Sequence, residues 1–228
     1  MSFLSRFLPK PQISLEQQLE NLATCGVRLN PPFTADTLLE EFAREKFEAR
    51  PYVGAIITMG GYAKNGEPLS NNIFHLNTES IEGEGDYAHL AERMRDLAQG
   101  DLPIGNIRDH FDRENGDAWV AFELTTPLKP KEGLNGAPES HQLSPGVTQQ
   151  MANPGYPNDT IQWHARVKEK WIDPEILSNF CTLLKAQNTE RGFTYFDLKG
   201  KDCLIGCSTE EQTLMLRKMT GMNFTWLE

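Results

Sequence analysis

The stretch from Phe193 to Glu228 constrains this chain more than any other. Phe193-Thr194-Tyr195-Phe196-Asp197-Leu198 is rich in aromatic and β-branched residues, which suit a pleated, half-buried surface. Phe193 and Tyr195 share one face, with Thr194, Phe196 and Leu198 on the other, so this strand is expected in a sheet interior covered on both sides. Lys199-Gly200-Lys201-Asp202 reads as a turn, its glycine tolerating positive φ. Cys203 to Cys207 is a second strand. Ser208 stands three residues before Glu211, a capping-box spacing that predicts a helix over about 208–219. Leu214, Met215 and Met219 form its expected apolar face, and Gly221 its left-handed C-terminal cap. Asn223 to Leu227 closes the stretch as a third strand. It holds no chemistry motif.

The rest of the chain carries weaker signals of the same kind. Ser14 with Gln17 opens a helix over about 15–25, ended by Gly26. Thr34 or Asp36 caps a second over about 35–49, with Leu38, Leu39, Phe42 and Phe47 as its stripe and Pro51 as its stop. Tyr52 to Met59 reads as a buried strand, paired across a wide loop with Ile73 to Leu76. Tyr87, Leu90, Met94 and Leu97 predict a helix over about 87–99. Asn115-Gly116 between Ile104–Phe111 and Ala118–Leu124 is a strong hairpin signal. Thr160 to Lys168 alternates as a half-buried strand, and Asp173-Pro174-Glu175 opens a helix to about Gln187.

These elements predict an α+β fold of mostly antiparallel sheets with helices packed on one face. The expected organisation is an N-terminal half over 1–126, a Pro/Gly-rich loop over 127–159, and a βαββαβ half over 160–228, in one compact unit. Residues 52–99 and 193–219 both read strand, loop, strand, helix, so two similar halves are expected at the level of architecture. The 127–159 loop contains six prolines and is expected to be partly disordered or to act as a docking strap.

Composition narrows the function classes. Phe3, Leu4, Phe7 and Leu8 are too few and too interrupted for a secretory signal, so the chain is expected in the cytosol, with this arm docked on the core. No apolar run is long enough to suggest a membrane partner. Cys25, Cys181, Cys203 and Cys207 lack disulfide-framework spacing and are expected to be buried thiols. Net charge is −10, and the window Glu79 to Asp117 holds eleven acids against four bases. Such a surface repels nucleic acid and favours a basic protein partner. The candidate partner-binding residues are Glu79, Glu82, Glu84 and Asp86 in the acidic loop. Asp109, Asp112, Glu114 and Asp117 join them at the predicted hairpin tip.

Nothing in the sequence implies a metal or a cofactor. Cys203 and Cys207 on one strand would lie about 13 Å apart at about 3.3 Å per residue. The five histidines show no ligand spacing, and the glycine pairs lack a phosphate-cradle context. The one reactive candidate is Cys207. It adjoins a predicted helix start, where the dipole lowers a thiol pKa, and His164 on a neighbouring strand is its candidate base. The alternative function is therefore a thiol-dependent enzyme using Cys207.

The acidic window, the lack of a catalytic set and the tail Lys201-Asp202-Cys203-Leu204-Ile205-Gly206-Cys207-Ser208 resemble in type the small acidic α+β immunity proteins of bacterial polymorphic-toxin systems. That resemblance implies a non-enzymatic cytosolic inhibitor. Its carboxylates would mimic a polyanionic substrate and occlude the active site of a cognate toxin. No diagnostic motif accompanies it, so no residue role transfers.

Overall fold

A computed structural model of the chain describes residues 13–126 and 160–228. The expectations for the N-terminal arm and for the 127–159 loop lie outside these residues. Seven helices and seven strands follow one another within them: α1 (Leu15–Thr24), α2 (Ala35–Leu39), α3 (Arg44–Ala49), α4 (Val53–Met59), β1 (Ile73–Asn77), α5 (Asp86–Leu97), β2 (Ile104–Asp112), β3 (Asp117–Leu124), β4 (Thr160–Arg166), α6 (Pro174–Ala186), β5 (Gly192–Lys199), β6 (Asp202–Ser208), α7 (Glu210–Thr220) and β7 (Thr225–Trp226). The fold is α+β. Among the described residues, no helix is long and apolar enough to cross a membrane.

The strands form two antiparallel sheets, ordered β1-β6-β5-β7 and β2-β3-β4. Helices α5 and α6 lie between them, α5 against β1, β2 and β3, and α6 against β4 and β5. This layer buries Tyr87, Leu90, Met94, Ile176, Phe180 and Leu184. Its centre is an aromatic cluster in which the Trp163 ring meets Phe122 and Phe180 edge-on, at 4.7 and 4.8 Å between centroids. A second core on the other side of the four-stranded sheet joins α1 to α4 with Ile73, Leu204, Leu216 and Phe224. The two-faced reading of β5 holds. Phe193 and Tyr195 enter the first core, and Phe196 and Leu198 the second. Helices thus cover both faces of the larger sheet; the expected one-face packing describes only the smaller one.

Local signals set several boundaries as expected. Ser14 Oγ accepts the Gln17 N–H, Asp173 accepts the Glu175 N–H ahead of Pro174, and Gly221 takes φ +71°. The β2–β3 hairpin turns through Asn115-Gly116, with Gly116 at φ +68°. At α7 the cap falls one residue later than expected. Thr209, not Ser208, is the N-cap, and its box partner is Gln212. The buried face differs from the expected one in part, although Met219 packs against the second core as expected. Thr213 and Leu216 face the core, whereas Leu214 and Met215 are exposed.

Three expectations are corrected. Residues 52–59 are not a strand; 53–59 form α4, which buries Ala55, Ile56 and Met59 together. A short apolar run suits a buried helix turn as well as a strand, and as a helix it packs these residues in one core with Phe47. The predicted 35–49 helix is two, because the chain is extended at Ala43 (ψ 144°). That break turns Phe42 outward and Phe47 inward. Finally, the described residues do not show two similar halves. Without a strand at 52–59 the echo disappears, and each sheet takes strands from both sides of the 127–159 loop: β1 pairs with β6, and β4 with β3.

Strand β1 is seated by a close backbone contact. The His75 N–H donates to the Gly60 carbonyl at 2.8 Å, and a Cβ on Gly60 would lie 2.7 Å from that nitrogen. A Gly60→Ala variant is expected to lose about 1–3 kcal/mol of stability, although alanine ordinarily favours a helix end in the right-handed region. Urea unfolding with a midpoint equal to wild type would contradict this close-packing role.

Candidate functional site

The eight predicted partner-binding carboxylates fall into structurally different groups. Glu79 pairs with Lys201, and Glu82 with Lys170. These ion pairs tie the acidic loop to two C-terminal loops, together with backbone bonds from Thr78 to Lys201 and from Ile81 to Lys170. Asp86 accepts the N–H groups of Glu82 and Gly83. Asp109 does not sit at the hairpin tip. Its carboxylate accepts the N–H groups of Gly85, Tyr87 and Ala88, and so caps the start of α5 from a neighbouring strand. Asp112 accepts from the Glu114 and Asn115 backbone and from the Asn115 amide, which shapes the turn. The Asn115 side-chain amide holds the Asp112 carboxyl below the usual carboxylate range. Asp117 lies between His110 and His164, at 4.0 and 3.8 Å. Glu84, Glu114 and Asp117 are the exposed members that neither cap a backbone group nor pair with a lysine.

The thiol candidate is placed far from any reactive setting. Cys207 lies in the core between the sheets, and burial pushes its thiol up to about 12. Cys203 is likewise pushed up to about 12 and Cys181 to about 11. His164 stands on the exposed face of the three-stranded sheet, hydrogen-bonded to Gln162. The two residues expected to act together therefore point into different environments, and β6 ends before a helix that starts two residues later.

One concave feature of the described residues is not anticipated by the sequence. A groove of about 460 Å³ runs between α2, α3, α4 and the start of β1, lined by Glu41, Phe42, Lys46, Phe47, Gly54, Ile57, Thr58, Gly61, Tyr62 and His75. Phe42 is 38 % exposed and meets buried Phe47 edge-on at 6.2 Å, while Lys46 Nζ lies 4.6 Å from the Phe42 ring centre. The lining residue Tyr62 places its hydroxyl 2.6 Å from His89 Nε2. Burial raises the Tyr62 phenol above its ordinary pKa. His75 Nε2 approaches Asp202 Oδ1 at 3.4 Å without a hydrogen bond. The volume is within the range of about 300–1,000 Å³ typical of ligand sites. The signals that could have found it are the break at 40–43, which exposes an aromatic residue, and Gly60-Gly61, which lets the chain pass close to β1.

Among the described residues no group of three or more His, Cys, Asp or Glu side chains converges as a metal site would. Compared with protein-family models, curated proteins and solved structures, the chain matches none.

Two outcomes follow from this geometry. Replacing Asp109 by Ala is expected to cost about 1–2 kcal/mol by uncapping α5, while Asp117→Asn changes stability by under about 0.5 kcal/mol; chemical unfolding distinguishes them. The raised thiols give a pH dependence of known sign. Unfolded cysteine loses its proton near pH 8.5, whereas the folded thiols hold theirs to about 11 or 12. Stability contributed by these groups is therefore present below about pH 8.5 and declines as pH rises from there toward 12. Iodoacetamide at pH 8 should leave Cys181, Cys203 and Cys207 unlabelled until denaturant is added; rapid native labelling of Cys207 would restore the thiol-enzyme reading.

Proposed function

We propose that this chain is a non-enzymatic binding protein whose partner is a basic protein, such as the toxin domain that an immunity protein of the resembled type would inhibit. The observation that carries this reading is the behaviour of the acids. Glu84, Glu114 and Asp117 are left exposed on a chain of net charge −10, after other members of the window have taken up helix caps, turns and ion pairs. Exposed carboxylates of this kind speed encounter with a cationic surface and bias choice of partner. They sit on a hairpin tip and on the loop before α5, both anchored by the Asp112 and Asp109 hydrogen bonds. A rigid platform reduces the ordering cost of association.

The thiol-enzyme alternative lacks the same support, since a thiol held protonated to about pH 12 is a poor nucleophile at neutral pH. The test is capture by the immobilised full chain from a lysate of its own source cell. A stoichiometric protein of basic pI should bind at about 50 mM salt and be released near 500 mM, as screened electrostatics require. The triple variant Glu84→Lys, Glu114→Lys, Asp117→Lys should lose it. No partner at low salt, or capture indifferent to the three reversals, would reject the proposal.

A further inference from the structure

We propose that the acidic platform is gated by pH at Asp117: His110 and His164, once protonated, neutralise its carboxylate and repel a cationic partner. This deepens the binding-protein reading above and rests on it. Three adjacent strands supply the geometry. On the outer face of the three-stranded sheet, His110 of β2, Trp119 of β3 and His164 of β4 are register partners in one row. Asp117 stands two residues before Trp119, so it shares that face and lies diagonal to both imidazoles. Its two oxygens divide between them. Oδ2 is 4.0 Å from His110 Nε2, and Oδ1 is 3.8 Å from His164 Nδ1. The three side chains are 39 %, 52 % and 53 % exposed for His110, His164 and Asp117, so solvent protons and a partner both reach them. Among the described residues, neither Glu84 nor Glu114 has an imidazole at ion-pair distance.

The surroundings leave these imidazoles as the groups that change. Asp112, the register partner of Asp117 on β2, accepts from Glu114 and Asn115, and the His110 charge reaches it too. Arg166, the partner of Asp117 on β4, is turned to Glu175 and Asp173 at the start of α6. Arg113 of the turn lies 5.8 Å from the Phe111 ring centre, and Gln162 contacts the far nitrogen of His164. Arg108 and Glu123 lie further along the same face. Helices α5 and α6 pack on the opposite, core face. Lysine, arginine and ordinary carboxylates keep their charge between about pH 5.5 and 7.5, whereas imidazole titrates inside that interval. With both rings neutral the trio carries a single negative charge; with both protonated it carries a single net positive one. A cation drawn to the carboxylate at the upper pH is therefore repelled at the lower. Exposed ion pairs are weak singly, so the gate acts through this reversal of local charge and not through a tight clamp.

The probe is a fluorescent oligolysine titrated with the full chain and followed by anisotropy, in about 50 mM salt and at about pH 7.5 and 5.5. Wild type should bind it several-fold more weakly at the lower pH. The double variant His110→Gln, His164→Gln should match wild type at the upper pH and hold its affinity within about twofold at the lower. Its thermal unfolding should be unchanged, because both side chains are at the surface. His75→Gln, which removes the imidazole beside Asp202, should keep the wild-type pH dependence. Equal wild-type affinity at the two pH values, or a pH dependence that survives in the double histidine variant, would overturn the gate. Binding that is lost in the Glu84, Glu114, Asp117 triple reversal yet ignores pH would reject the gate alone. No binding at the upper pH, or binding indifferent to the reversal, would reject the acidic platform and the gate with it.

Discussion

The joint between the two cores depends on one buried cation. Arg93 on α5 is 2 % exposed, yet its hydrogen-bonding neighbours are neutral: Nη1 donates to Asn71 Oδ1 at 3.1 Å and Nη2 to the Ser70 carbonyl at 2.9 Å. Its guanidinium lies 5.1 Å from the Phe74 ring centre and 5.7 Å from that of Tyr62. Burial lowers its pKa from the ordinary value. A buried charge costs several kcal/mol unless polar groups surround it; here carbonyl and amide oxygens take the two Nη groups and two aromatic faces flank the guanidinium, while the buried Nε has no hydrogen-bond partner among the described residues. The result is a fixed distance between α5 and the segment entering β1. Phe74 is directed into the core between the sheets and Ile73 into the other, while Tyr62 is held as a wall of the groove.

The same economy governs the acids. A carboxylate close to backbone N–H groups can do local structural work or face a partner, and sequence proximity does not distinguish the two. Asp109 caps a helix that begins more than twenty residues before it in the chain, through a pairing that only the folded α5–β2 contact creates. Asp112, three residues from Asn115, shapes a turn that its own neighbours already predicted. Counting acids in a window therefore overstates the recognition surface. What survives is a smaller set, and its members are separated by the elements that the others stabilise.

Legibility followed the range of the interaction. Short-range signals were reliable: the Ser14 and Asp173 caps, Gly221, the Asn115-Gly116 turn and the two-faced pattern of β5 all appear where residue chemistry puts them. The α+β class followed from their sum. Failures came where two local options were nearly equal or where a distant contact chose the outcome. Ser208 and Thr209 both precede an acid or amide at cap spacing, and Thr209 is the one whose box closes with Gln212. Strand pairing across the 127–159 loop, β3 with β4 and β1 with β6, is a long-range choice that no local pattern encodes.

One misreading hid both the architecture and the groove. As a strand, residues 52–59 would send Ile57 and Thr58 to opposite faces. As helix α4, positions 54, 57, 58 and 61 fall at the three- and four-residue spacing of one helical stripe. Those four residues line the groove, while Ala55, Ile56 and Met59 form the buried stripe behind them. The helix also ends at Gly60, whose lack of a side chain admits the His75 backbone and so brings that imidazole to the groove wall. The sheet loses a strand by this choice, and β1 instead finds β6 from beyond the loop. A single helix-for-strand exchange in an ambiguous apolar run thus couples the interleaved topology to the existence of the site.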